Sequence, residues 1–530
     1  MYHPLKHHSF MIDHVKPKSN HEYMQSPGIK PPSISDQSLV RTMSKIMNLK
    51  LGEFKNTRVV WDFGAGSCTG WFMEAVNFVT ALENRVPLRI ITGKHDMCEG
   101  LPGYLLSSLH RLIDRTFANI TIFVTHKPPD RYPSFPYKGL VNIPGLPEYV
   151  IGRSMYESTS IPSNWNNHID KVDRIWVPGH FLMDAFVNAG MSKSKVTFLP
   201  EPIDHYFYDP EIHKPLPLKH SSHFNFLSIF KWEPRKNAEL MIEAFCREFE
   251  NEPKVTLHLL TYLFNDYAAH DPDRIMEKVK SVSDRLDIKK LPKINIIADV
   301  IPTQDMPRIY KSADAFVLPS RGEGWGMPYM EAMTMGLPTI APAWGGQMEF
   351  MNANNSYLIH YTLKNVNDYD QDENAEKWAE ADLNDLRKKM RYVFNHKKEA
   401  KKVGAEARKS IVSRFSQKAL VDMVLSEFRK VKQIIKDKSF VRVQDKKPKV
   451  IDSKVADVKD EFRKVMEKNG LVENASQDEY ENFLLGMDEE KLGDLFNSVQ
   501  INSGIVEKKT SKQVTTTAPP KKQIAIKINL

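Results

Sequence analysis

The sequence predicts an α/β fold made of two doubly wound parallel units. Three observations lead there. Short apolar runs of strand length alternate with helical stripes. Two of those runs, residues 58–63 (RVVWDF) and 315–318 (AFVL), lead into glycine-rich loops that open helices. The alternation starts afresh after a Pro- and His-containing stretch at residues 211–222, where FNFLSIF begins a second block.

In the first block the loop GAGSCTG follows the opening strand, and Phe72, Val76, Val79 and Leu82 mark one face of a helix. Further strands are expected at 88–92, 119–124, 149–155 and 173–177. The second block opens at Phe224, and its first helix buries Met241, Ile242, Phe245 and Phe249. Strands are expected at 255–260, 294–298, 315–318 and 339–341. Pro328 suits a first helical residue, which needs no N–H, and Gly336 with Pro338 closes that helix. Ser416 caps a last helix with Leu420, Val424 and Phe428 on one face.

The domain map is therefore a disordered arm at 1–55, a first domain at 56–210, a linker at 211–222 and a second domain at 223–400. Terminal helices at 401–432 follow, then a helical appendage at 433–500 and a disordered tail at 501–530. The appendage rests on the stripe Val455, Val458, Phe462, Val465, Met466 and a second one at 480–496. It serves packing or a protein partner.

The 530 residues suffice for two or three cores, and 41% hydrophobic with 26% charged content is ordinary for a globular protein. A formal charge of +8 permits contact with anionic substrates or a membrane surface, and no nucleic-acid motif accompanies it. Cys68, Cys98 and Cys246 are odd in number and scattered, which reads as reduced thiols in a cytoplasmic protein. No apolar run of about eighteen residues is present to span a membrane, and the first residues lack the apolar core of a secretory signal.

Three loops carry candidate chemistry. The loop after residues 315–318 holds Glu323, Gly324, Trp325, Gly326 and Met327. Glu331 follows on the helix, with seven residues between the two glutamates. A carboxylate at the mouth of a strand–helix turn can accept bonds from sugar hydroxyls. The plainer alternative is a solvated Glu323 and a Glu331 that favours the helix dipole. KWEPRKN places Lys231, Arg235 and Lys236 at another strand–helix turn, as a solvated basic loop or as a diphosphate clamp. In the first domain Gly64, Gly66 and Gly70 make either a tight turn or a backbone surface for a phosphate or an acceptor. His126 and Glu157 sit at strand ends, where such sheets carry chemistry.

The run E-G-W-G-M-P-x-x-E-A-M-x-x-G-x-P resembles the E-x7-E signature of retaining glycosyltransferases of family 4, which have the GT-B fold. The resemblance covers roughly residues 58–430, including the Pro200-Glu201-Pro202-Ile203-Asp204 hinge and a short helix within 301–313. It implies two Rossmann-like domains across a cleft, the donor on the second and the acceptor on the first. Lys236 matches the family lysine. Lys231 stands where arginine is usual, and Asn237 where glycine is usual. Many members carry a histidine on the strand that here ends at Tyr156-Glu157. This chain has none there, so Glu157 is the first candidate for that role and His126 the second.

The resemblance implies transfer of a sugar from a nucleoside-diphosphate sugar to a glycan, protein, lipid or small-molecule acceptor. Lys231, Arg235 and Lys236 would hold the diphosphate, Glu323 the sugar hydroxyls and Glu331 the ribose. No metal or other cofactor is expected. The rival readings are a catalytically inactive GT-B scaffold that binds sugar or a partner, a phosphorylase and, on charge alone, a nucleic-acid binder.

Overall fold

The computed structural model describes residues 51–445 except 64–68, 93–99, 118, 136, 139–141, 144–145, 265, 267, 287, 289 and 367–375. Gly64, Gly66, Cys68, Cys98, nearly all of the expected arm, the tail and both stripes of the appendage lie outside the described residues. Two parallel six-stranded sheets form the framework. The first contains β1 (Val59–Asp62), β2 (Leu88–Ile91), β3 (Ile122–His126), β4 (Tyr149–Arg153), β5 (Arg174–Val177) and β6 (Val196–Phe198), in the order β2-β1-β3-β4-β5-β6. The second contains β7 (Phe224–Trp232), β8 (Val255–Leu263), β9 (Lys293–Ile297), β10 (Ala315–Val317), β11 (Thr339–Pro342) and β12 (Tyr357–Ile359), in the order β9-β8-β7-β10-β11-β12. Both are Rossmann-like. Strand order reverses between β1 and β3 in the first sheet and between β7 and β10 in the second, and ligands bind beyond the carboxyl ends of strands at such points.

The helices are α1 (Gly70–Leu82), α2 (Gly103–Ile113), α3 (His180–Asn188), α4 (Ala238–Phe249), α5 (Pro272–Asp284), α6 (Met306–Lys311), α7 (Met327–Thr334), α8 (Leu383–Asn395), α9 (Lys397–Phe415) and α10 (Gln417–Asp445). The predicted stripe of α4 is wholly buried: Met241, Ile242, Phe245 and Phe249 pack under β7 and β8. Pro328 is the second residue of α7 rather than the first, a position equally free of an intrahelical N–H bond.

The chain crosses between domains twice, and the crossings are tied together. The Ile203 N–H donates to the Phe415 carbonyl at 2.9 Å, and the Gln417 N–H to the Ile203 carbonyl at 3.3 Å. Asn77 Nδ2 donates to Pro202 O at 3.1 Å, and Gln417 Nε2 to Asn77 O at 3.2 Å. Past this point Val421, Val424, Leu425, Phe428 and Val431 of α10 join the core of the first domain. α9 instead gives Ala407, Ile411 and Phe415 to the second. The helix runs on beyond residue 432 to Asp445.

Two differences from the sequence reading have clear causes. The third strand starts at Ile122, because the Thr121 and Ile122 N–H groups both donate to Arg58 O and set the register there. It continues through two polar residues, Thr125 and His126, both buried. A hairpin of β13 (Tyr361–Asn365) and β14 (Lys377–Ala381) was not foreseen. Its strands are short and mostly exposed or half-buried, so they carry little apolar signal.

Candidate functional site

The site forms where the loops after β7 and β10 meet at the switch point of the second sheet. After β7 a single 3-10 turn, Pro234–Lys236, leads to Asn237 in the left-handed region with φ 53°. Glycine or asparagine adopts that conformation readily, which accounts for asparagine at a position where the resemblance expects glycine. Asn237 Nδ2 also donates to Glu380 Oε1 of β14 at 3.0 Å. The two loops are stitched by backbone acceptors. The Arg321 N–H donates to Arg235 O at 2.7 Å, Arg321 Nη1 to Pro234 O at 2.6 Å and Arg235 Nη1 to Gly322 O at 2.6 Å.

This stitching holds a charged cluster. Lys236 Nζ donates to Glu323 Oε1 at 2.5 Å, with both side chains more than nine-tenths buried. Arg235 stands 2.7 Å from Glu233, 3.4 Å from Glu323 and 3.6 Å from Glu157 of the first domain. Burial works against the Glu323 charge, but Lys236 and Arg235 hold its pKa below the usual carboxylate range. Burial lowers the Lys236 pKa, and Glu323 offsets only part of this because Arg235 repels the ammonium. An isolated ion pair would move its two pKa values apart. Here both fall: Lys236 chiefly through burial, with repulsion from Arg235 adding to it, and Glu323 through the two cations beside it. Burial is also the main cause raising the Glu157 pKa. Arg235 opposes it, and Glu323 adds to it.

The two domains touch at this cluster. A Cβ on Gly322 would lie 1.8 Å from the Glu157 carbonyl oxygen, and one on Gly324 would lie 2.9 Å from Met155 Cγ. Gly322 is therefore required by close approach of the backbone that extends β4, and a side chain at Gly324 would force Met155 to shift. Gly324 is backed by the second glycine loop, since a Cβ on Gly346 would meet Gly324 O at 2.1 Å. Gly70, the first residue of α1, faces Met327, whose Cγ is 3.9 Å from a Cβ placed there. Trp325 points into the core: its Nε1 donates to Met330 Sδ at 3.1 Å and its ring packs on Phe350 and Phe415. Gly326 turns the chain into α7 with φ 101°.

Glu331 lies on the same helix and is only partly buried. Its Oε1 accepts from Tyr208 at 2.8 Å and its Oε2 from Tyr310 at 2.7 Å. Lys231 does not join the Glu323 cluster; its Nζ sits 4.5 Å from the centre of the Phe264 ring.

His126 is drawn into a buried network of the first domain. Trp61 Nε1 donates to His126 Nδ1 at 3.3 Å, so Nε2 carries the hydrogen that Glu74 Oε2 accepts at 2.9 Å. Arg153 Nε donates to Glu74 Oε1 at 2.6 Å, and Arg153 Nη1 to Leu199 O at 2.5 Å. Burial opposes the Glu74 charge, but Arg153 and His126 keep it below the usual range. Glu201 of the hinge lies within reach of this network. It is 1% exposed, and its Oε1 has no hydrogen-bond partner among the described residues. Burial, then repulsion from Glu74, raises its pKa well above the ordinary value, with Arg153 opposing and Glu323 adding. Sequence reasoning places Glu201 only in the hinge. It misses Glu233, Tyr208 and Tyr310, which no local pattern marks as partners of Arg235 and Glu331.

Residues 222–377, which make up most of the second domain and carry this cluster, match the family described as glycosyl transferases group 1. Among relatives, mannosylfructose-phosphate synthase of Agrobacterium fabrum is 34% identical over 23% of this chain and 25% of its own length. O-antigen chain mannosyltransferase B of Escherichia coli is 29% identical over 22% and 27%. Trehalose synthase of Thermococcus litoralis is 22% identical over 47% and 55%. The chain thus spans between a quarter and about half of the length of these relatives. Among solved structures, Anabaena HepE in complex with UDP and glucose aligns over 70% of this chain and 99% of its own, with TM-score 0.48 and 14% identity. Sucrose-phosphate synthase of Thermosynechococcus elongatus aligns over 71% and 100%, with TM-score 0.47 and 13% identity.

Proposed function

We propose that this chain is a retaining glycosyltransferase of family 4 that moves a sugar from a nucleoside-diphosphate sugar to an acceptor bound against the first domain. The observation that carries the reading is the Lys236–Glu323 pair with Arg235, enclosed at the carboxyl ends of β7 and β10 in the group 1 domain. Breaking the bond between the sugar and the diphosphate puts negative charge on the departing phosphate oxygen. Lys236 and Arg235, fixed in a dry site, stabilise that charge. Glu323 holds those cations in place through its ion pairs. With donor bound it turns part of its accepting capacity to sugar hydroxyls, while Glu331 takes the ribose. Charge neutralisation by two side-chain cations makes a metal unnecessary in this scheme. Glu157, at the cleft and within 3.6 Å of Arg235, is the first-domain group best placed to face the transferred sugar.

None of the described helices is long and apolar enough to cross a membrane. The reading places the reaction in the cytoplasm. The test is a panel of UDP-, GDP- and ADP-sugars read by thermal shift and by donor turnover. Mannose belongs among the sugars because one relative is named a mannosylfructose-phosphate synthase and another a mannosyltransferase. A true donor raises the melting temperature by mass action and is consumed. A chain that neither binds nor consumes any of them overturns the reading.

A further inference from the structure

We infer that Tyr208 and Tyr310 are positioning residues for ribose, holding the Glu331 carboxylate so that one lone pair on each oxygen faces the two hydroxyls of a nucleoside diphosphate. The inference rests on the donor-binding reading above and names what makes Glu331 selective.

The argument is a count of acceptor sites. An ionised carboxylate offers about four lone-pair directions, two per oxygen. Tyr208 fills one on Oε1 and Tyr310 one on Oε2, at 2.8 and 2.7 Å. One direction remains on each oxygen, and Glu331 keeps part of its surface open. Two free sites side by side match the vicinal 2′- and 3′-hydroxyls of ribose. Without the tyrosines the side chain would have three torsions to order on binding, at a cost in rotamer entropy.

The tyrosines are themselves fixed. Tyr310 is fully buried and packs on Phe316, with ring centres 5.9 Å apart. Tyr208 is 5% exposed, and its carbonyl accepts from Arg408 Nη1 at 2.9 Å. Its N–H donates to Asp204 O at 3.0 Å, and Asp204 Oδ2 accepts from Tyr104 of α2 at 2.8 Å. One of the two donors to Glu331 therefore rides on the interdomain crossing. Burial, and then the charge of Glu331, pushes both phenols well above their ordinary pKa, so they remain donors at neutral pH.

The experiment compares UDP, GDP and ADP with their 2′,3′-dideoxy counterparts by calorimetry on the full chain, Tyr208→Phe and Tyr310→Phe. The wild type should bind one ribonucleotide about tenfold or more tighter than its dideoxy form. Each Phe variant should lose most of that ratio through weaker ribonucleotide binding, with dideoxy affinity unchanged. An undiminished ratio in both variants overturns the positioning role alone. Loss of dideoxy affinity in both variants makes the tyrosines structural and also overturns it. Equal binding of both forms by the wild type removes the ribose role of Glu331. A wild type that binds none of the three nucleotides overturns the proposed function itself.

Discussion

Lys236 Nζ lies 2.5 Å from Glu323 Oε1, and neither group has an appreciable path to water. Removing one member of such a pair leaves the other buried and uncompensated, which costs about 3–5 kcal/mol. Glu323→Ala should therefore destabilise the chain by roughly that amount in urea unfolding. The double change Lys236→Met with Glu323→Leu should recover most of it, because an apolar pair of similar size avoids desolvation. Equal destabilisation by the single and the double change would show that the pair is not the source.

Contact between the domains at the site depends on two missing side chains. Gly322→Ala places a methyl within 1.8 Å of the Glu157 carbonyl, and backbone cannot swing away as a side chain would. The β4 extension and the Glu323 loop must then separate. Turnover should fall by about a hundredfold, since displacement by an ångström at a reacting centre costs that much. Small-angle scattering should show a larger radius of gyration. Gly103→Ala, where a Cβ meets nothing within 4 Å among the described residues, is the control. Unchanged turnover and scattering in Gly322→Ala would show that the contact is dispensable.

Much of this arrangement was legible in the sequence because it is local. β7, β10, α4 and α7 each announce themselves by an apolar run or stripe, with the basic run between β7 and α4 and the glycine loop between β10 and α7. Lys236 and Glu323 stand out because each lies in the connection between such a strand and its helix. What stayed hidden depends on distant partners. His126 looks like a strand-end candidate until Trp61 and Glu74, 65 and 52 residues away, are seen to enclose it. Lys231 looks like its neighbours in KWEPRKN until its side chain is found over Phe264. No periodicity marks Tyr208 and Tyr310 as donors to one carboxylate, since they lie 123 and 21 residues from it.

A metal-free mechanism makes a simple prediction. In the proposed mechanism Lys236 and Arg235 would supply the positive charge that a divalent ion would otherwise bring to the diphosphate. Excess EDTA should leave most of the transfer rate intact. Loss of the rate in EDTA, restored by magnesium or manganese, would contradict that mechanism.

Glu201 gives a pH prediction. Its pKa is raised on folding, chiefly by burial, and it faces Glu74, Arg153 and Glu323. The native state therefore holds a proton that the unfolded state gives up near the ordinary carboxylate value. Where the native state binds more protons, stability falls as pH rises. The favourable contribution is complete below the ordinary carboxylate pKa and is lost as pH climbs toward the raised one. As pH rises above the ordinary carboxylate pKa, the melting temperature of the wild type should fall relative to that of Glu201→Gln. Parallel curves would mean that Glu201 does not carry the proton.

The last prediction separates the two ends of the donor. Charge on the diphosphate grows as the glycosidic bond breaks, so a Lys236 contact strengthens in the transition state. Lys236→Met keeps the chain length and removes the charge, and it should lower kcat and kcat/KM together. Ribose hydroxyls change little during the reaction, so a Glu331 contact is nearly uniform binding. Glu331→Gln should chiefly raise KM for the donor. A hydrogen bond to a charged group contributes about 1.5–3 kcal/mol, which is on the order of tenfold to a hundredfold in either parameter. Tyr208 and Tyr310 complicate only the size of the Glu331 effect, since a glutamine still accepts through one oxygen and leaves one tyrosine facing an amide NH2. Steady-state kinetics on both variants, with folding followed by circular dichroism, decides the matter. If Lys236→Met altered KM alone while Glu331→Gln collapsed kcat, the two residues would have to exchange roles.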